Sequence, residues 1–107
     1  MLTHSASEFA TAYAITLEEL VKLVPAYYAE DPTAAGITIS WVEDEEKFYA
    51  SVCRFREPFG KGKQVLACEY GETLEGAIRG TVNNWCKVLK RSIFEIKAEI
   101  EKRENSP

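Results

Sequence analysis

The stretch REPFGKGKQ, residues 56–64, gathers the cations and glycines that cradle phosphate in many proteins. A phosphate-binding loop of the GxxxxGK[ST] kind lies between a strand and a helix, so that backbone amides and a helix N-terminus face the anion. Here GKGK is followed by Gln64 and another strand-like run, and no helix start is aimed at the loop. Two readings stand. In one, Pro58 and the two glycines serve the geometry of a hairpin connection. In the other, Arg54, Arg56, Lys61 and Lys63 form a mobile basic finger that touches an acidic partner or a nucleic-acid backbone. Phe59 at its tip is then an aromatic anchor.

The opposite charge gathers in EDEE: Glu43, Asp44, Glu45 and Glu46. The run lacks the ligand spacing and the glycine of a calcium loop. General acid and base carboxylates need a pocket and a raised pKa, and an exposed turn offers neither. The run is either a solvated turn or a surface that imitates phosphates and occupies a basic groove on another protein. No serine or threonine shows a histidine partner for a nucleophile-base pair, and the single histidine, His4, sits in the N-terminal segment. The three cysteines, Cys53, Cys68 and Cys86, are odd in number and form no CxxC pair. They read as buried, reduced thiols rather than a disulfide framework or zinc ribbon. No catalytic set, metal site or cofactor is expected.

A chain of 107 residues is one domain's worth, here residues 1–107 with 104–107 as a frayed tail. With 46% apolar and 28% charged residues it can bury one core without staples. The net charge of −4 disfavours direct nucleic-acid binding and membrane-surface binding, though not a local basic patch. The N-terminus has no signal-peptide pattern, and no run approaches the roughly 18 apolar residues of a membrane span. A cytoplasmic protein is the expectation.

The elements that must position these charges follow from periodicity. Residues 5–29 read as helical, with Ser5/Glu8 and Thr16/Glu19 as capping boxes and Leu17, Leu20, Val21 and Val24 on one face. Pro25 predicts a kink or an end. Gly36 opens a strand in which Ile37, Ile39 and Trp41 alternate with Thr38, Ser40 and Val42. KFYASVCRF, 47–55, predicts a central strand, and QVLACEY, 64–70, a third. Short connections make the three an antiparallel meander. Thr73 caps a helix read as continuous from Leu74 to about Arg103, along the seam Ile78, Val82, Trp85, Leu89, Ile93, Ile96 and Ile100. Gly76 and Gly80 predict close approach of that helix to the sheet, and Asn83 and Asn84 are expected to be exposed. The fold class is α+β: N-terminal helices, a three-stranded antiparallel meander and a long C-terminal helix on one face, αβββα.

A helix of about 30 residues is ~45 Å long, whereas a six-residue strand spans ~20 Å. Ile93, Ile96 and Ile100 must therefore overhang the sheet and bury against the N-terminal helices or against a second copy of the chain. In a meander the EDEE turn and the basic loop fall at opposite ends. Glu72 and Glu75 join Glu43–Glu46 at one pole. Lys87, Lys90 and Arg91 lean toward Arg54, Arg56, Lys61 and Lys63 at the other.

Two signatures lie in order: DEEKFYASV, residues 44–52, and GETLEGAI, residues 71–78. Together they resemble the HicB-like antitoxin domain over residues 37–90, a strand meander followed by a helix opening on a G-x-T-L-E-x-A-I motif. The resemblance implies a protein that binds and neutralises a small basic RNase toxin. It carries over Asp44, Gly71, Thr73, Leu74, Glu75, Ala77 and Ile78, which look structural. The N-terminal helices are extra, and an extended helix stands where a DNA-binding segment often follows. In character the chain is also similar to small phage-encoded inhibitors of host defence nucleases, including anti-CRISPR proteins, which place carboxylates where phosphates would sit. The double-stranded RNA-binding domain shares the element order, but its second helix opens on lysines and this one on GETLE. The sequence thus favours a non-enzymatic inhibitor or regulator of a nuclease or nucleic-acid-binding effector. The alternatives are a nucleic-acid accessory protein using residues 54–63, or a homodimerising structural module.

Overall fold

The computed structural model describes residues 15–29, 34–55 and 62–105. The Ser5/Glu8 capping box, Arg56, Phe59 and Lys61 lie outside these residues. Helix α1 spans Leu17–Tyr27. It opens on a complete capping box: the Thr16 hydroxyl accepts from the Glu19 amide at 3.2 Å, and the Glu19 carboxylate accepts from the Thr16 amide at 3.3 Å. Hydrogen bonds from Thr16 and Lys97 hold the Glu19 carboxyl below its ordinary range. The buried face is Leu20, Leu23 and Val24, so Leu23 takes the place expected for Val21, which is exposed. Pro25 lies inside the helix, which ends two residues later at Tyr27.

The meander is as expected: β1 (Ala34–Val42), β2 (Lys47–Phe55) and β3 (Gln64–Gly71) pair antiparallel in chain order. Ile37 pairs with Val52, and Val52 with Ala67. Because Cys53 then pairs with Val65, Leu66 is an extra residue on β3, a bulge that adds local twist. Ile37, Ile39, Trp41, Phe48, Ala50, Val52 and Ala67 share the face that carries the helices. Ala50 and Val52 are completely buried there.

Helix α2 spans Leu74–Leu89, capped by the Thr73 hydroxyl, which accepts from the Gly76 amide at 3.0 Å. It lies close on β3. A Cβ at Gly71 would sit 2.5 Å from the Ala77 nitrogen, and one at Gly80 would sit 2.8 Å from the Glu69 Cγ. Gly80 therefore serves close approach as expected, whereas Gly76 packs under its own cap hydroxyl. Gly71→Ala is expected to cost about 1–3 kcal/mol, because the obstructing atom is backbone and cannot swing away. A urea titration read by circular dichroism measures the loss.

Polar contacts fasten the layers. Thr81 Oγ1 donates to the Ala50 carbonyl at 3.0 Å. The buried Arg79 donates to Glu75 at 2.7 Å and to the Ile15 carbonyl at 2.9 Å, tying the entry of α1 to α2. Asn83, expected to be exposed, is buried, and its Oδ1 finds no partner among the described residues. Trp85 is buried against the rings of Tyr27 and Tyr28, and its indole nitrogen donates to the Tyr28 hydroxyl at 3.2 Å.

The single long helix is corrected. The chain breaks after Leu89, and a separate helix α3 runs Ile93–Glu104. Lys90 adopts the left-handed conformation, φ 58°, and two bonds close a Schellman end: Arg91 amide to Cys86 carbonyl, 3.1 Å, and Lys90 amide to Lys87 carbonyl, 3.2 Å. Ser92 and Glu95 then form a new capping box. The two Ser92 hydrogen bonds hold the Glu95 carboxyl below its ordinary range. Of the expected tail, Glu104 is helical and the Asn105 amide reaches the Glu101 carbonyl at 3.0 Å, while Ser106 and Pro107 lie outside the described residues. A side chain at a left-handed position costs roughly 1 kcal/mol relative to glycine. Lys90→Gly is therefore expected to raise stability by up to about 1 kcal/mol, visible as a higher denaturation midpoint.

The break removes the overhang. Ile93, Ile96 and Ile100 are buried within the chain, where α3 packs on α1. Lys97 reaches Glu19 at 3.2 Å, Arg103 donates to the Tyr27 carbonyl, and Glu99 bridges Arg91 and Arg103. These isoleucines are therefore not a self-association surface: the turn at Lys90–Ser92 swings the second half of the seam onto α1.

Candidate functional site

The register of the sheet sets where the charges stand. Val42 pairs with Lys47, so the turn between them carries Glu43, Asp44, Glu45 and Glu46 off one end of the sheet. The turn is a 3-10 turn over Glu43–Glu45, closed by Glu46 in the left-handed conformation, φ 50°. Phe48 pairs with Gly71, so Glu72 leaves β3 at that same end. All five carboxylate residues are exposed. Glu75, on the first turn of α2, is exposed as well, and its carboxylate is engaged by Arg79 at 2.7 Å. Lys47 is the single lysine or arginine within the hairpin turn and its closing pair.

Beside this acidic end lies an aromatic pair that sequence reasoning assigned to the half-buried strand face. Trp41 and Phe48 stack edge to face, centroids 4.9 Å apart, on the helix-bearing side. The Trp41 ring is 48% exposed and its Nε1 donates to Glu43 at 3.0 Å. The helices cover Ala35 and Ile37 but leave Ile39 and Trp41 uncovered. No signal in the sequence reveals this, because period-two alternation states which face a residue joins and not how far the covering layer extends. The arrangement combines a convex acidic turn with an aromatic ring held in place by one of its carboxylates. That combination suits recognition of a cationic surface: charge steers the encounter and a rigid ring anchors it.

At the opposite end Ala35 pairs with Arg54, and Arg54 with Gln64. The Arg54 guanidinium lies over the Tyr28 ring, 5.1 Å from its centroid, so this side chain is committed at least partly to packing. Lys63 is exposed, and Gly62 takes φ 77°, a turn geometry that glycine accepts without strain. Lys87 and Lys90 at the end of α2 are exposed as well, while Arg91 is paired with Glu99. The strands on either side of residues 56–61 pair antiparallel, and β3 rather than a helix follows GKGK, so no helix N-terminus stands there to face a phosphate.

The second sheet face carries a polar row. The hydroxyls of Thr38 and Ser51 are 2.6 Å apart, and Ser51 Oγ is 3.2 Å from the Cys53 sulfur. Cys53 and Cys86 are buried and in no disulfide, as expected, but Cys68 is exposed, contrary to expectation. It stands on an edge strand, on the face away from the helices, whereas Cys53 lies on the central strand. A hydrogen bond with the Cys68 sulfur, together with burial, holds the Tyr49 phenol above its ordinary range. No group of three or more metal-ligand side chains is found among the described residues. An apolar groove of about 190 Å³ between α1 and α3 is floored by Leu23, Ala26 and Ile100. No helix among the described residues is long and apolar enough to cross a membrane.

Compared with known proteins, the chain matches no family model, no curated protein and no solved structure. Of the residues that carry the HicB-like resemblance, Asp44 and Leu74 are exposed, and the other five have local tasks in this fold. Gly71 permits the approach of α2, Thr73 caps it, Glu75 holds Arg79, and Ala77 and Ile78 enter the core.

Proposed function

We propose that this chain is a non-enzymatic binding protein whose acidic end occupies the basic, nucleic-acid-binding surface of a nuclease or effector. In mode of action it is antitoxin-like or akin to phage inhibitors of defence nucleases. The observation that supports the reading most directly is the convergence of Glu43–Glu46 and Glu72 on one end, with the half-exposed Trp41 ring fixed to Glu43 beside them. Carboxylates on a convex turn present charge to a large partner better than they enclose a small substrate. The loss of such a cluster chiefly slows association and removes its salt dependence.

The test is a pull-down from nuclease-treated native lysate, run with the native chain and with a variant carrying Glu43→Gln, Asp44→Asn, Glu45→Gln and Glu46→Gln together. The native chain is expected to retain a basic nucleic-acid-binding protein that added DNA displaces, and the variant to recover at least about tenfold less of it. Equal recovery by both would remove the acidic end from the mechanism. Recovery of nucleic acid in place of protein, from lysate left untreated, would move the function to Arg54, Lys63 and the loop between them.

A further inference from the structure

The sheet has two edges, and the chain treats them differently. Over the helix-bearing face of β3 lies α2, and the Asn84 amide donates to the Cys68 carbonyl at 2.8 Å, so part of that edge's backbone is satisfied. No strand among the described residues pairs with the outer edge of β1. That strand, AAGITISWV, is nine residues long and carries neither charge nor proline. It runs beside β2 through all nine positions without a register shift. Ile39 is 46% exposed, and Ser40 and Trp41 are exposed beside it. Edge strands that stay unpaired are usually blunted by lysine, proline, a bulge or a covering segment. The described part of β1 has none of the first three, so it offers a row of amides and carbonyls to another strand.

We infer that the outer edge of β1 pairs antiparallel with β1 of a second copy of this chain, giving a continuous six-stranded sheet. Charge selects this occupant. Antiparallel pairing about a twofold axis sets the end bearing Glu43–Glu46 of one copy beside the end bearing Arg54 of the other. It keeps the two acidic turns roughly 30 Å apart, the span of nine residues at about 3.3 Å each. Parallel pairing would bring the acidic turns side by side. The strand itself is uncharged, so self-pairing juxtaposes no like charges along the seam. A twofold perpendicular to the sheet also keeps odd-numbered residues on one face, so Ile37, Ile39 and Trp41 of both copies form one apolar row. The acidic turns stay at the rims, so the inference stands independently of what they bind.

Sedimentation velocity over a wide concentration series, paired with hydrogen exchange, tests it. The native chain is expected to form a dimer, with amide protection that rises with concentration within β1 and not within β3. Ile39→Lys and Ser40→Lys both alter exposed positions, and circular dichroism confirms that each variant folds. Each is expected to weaken dimerisation at least about tenfold, since a lysine must be desolvated or the seam must open. A monomer at every concentration overturns the inference. So does a dimer whose formation leaves β1 unprotected, or one that both lysine variants leave intact.

Discussion

Ile96→Glu is expected to destabilise the protein by about 3–5 kcal/mol, a large part of the 5–15 kcal/mol available to a domain of this size. Ile96 is 0% exposed, enclosed where α3 meets α1. A glutamate there must either bury an unpaired carboxylate or pull α3 away from Leu23 and Ala26. The second route forfeits the packing of Ile93 and Ile100 as well, because the three side chains share one helix face. Phe94→Glu is the control. Phe94 is 60% exposed on the same helix, and its replacement is expected to change stability by less than about 0.5 kcal/mol. Guanidinium titration of both variants checks the pair. If the two changes cost the same, α3 does not bury Ile96 against α1.

Trp85→Ala carries the second large effect, about 3–5 kcal/mol. Trp85 is 0% exposed, and its ring meets Tyr27 and Tyr28 at centroid distances of 5.6 and 6.2 Å. Truncation opens a cavity beneath the end of α1 and leaves the Tyr28 hydroxyl without its indole donor. Trp85→Phe keeps most of the ring and is expected to cost less than half as much. Fluorescence reads the outcome cleanly, since the chain has two tryptophans and Trp41 is half exposed. The blue-shifted component should vanish in both variants, and only the alanine variant should show a much lower denaturation midpoint. A small loss in Trp85→Ala would mean that the Trp85 site collapses without cost.

Both effects are large because burial here is shared among elements distant in sequence, and that is also where reading the sequence reaches its limit. The α+β class, the meander and the Thr16 and Thr73 caps were legible because each depends on local chemistry: period-two alternation, a hydroxyl ahead of an apolar run, a glycine at a junction. The placement of Glu43–Glu46 and Glu72 at one end followed too, since an antiparallel meander with short connections fixes which turns share an end. The break at Lys90–Ser92 had a signal, Ser92 followed by Glu95, but the seam Leu89, Ile93, Ile96, Ile100 continues through it at helical spacing. Periodicity reports which face is apolar and does not report whether the backbone is continuous. Lys90, lacking the glycine that usually marks a helix end, concealed the turn.

Only the tertiary structure decided the rest. It sent α3 back onto α1, so that Ile93, Ile96 and Ile100 became core instead of an interface. It buried Asn83, exposed Cys68, and stopped the helical layer short of Ile39 and Trp41. Each outcome depends on how far one layer extends over another, and the local sequence of either layer does not contain that distance. The sequence by itself determined the elements, their order and the ends at which charge collects. Packing determined which apolar residues remain available to a partner.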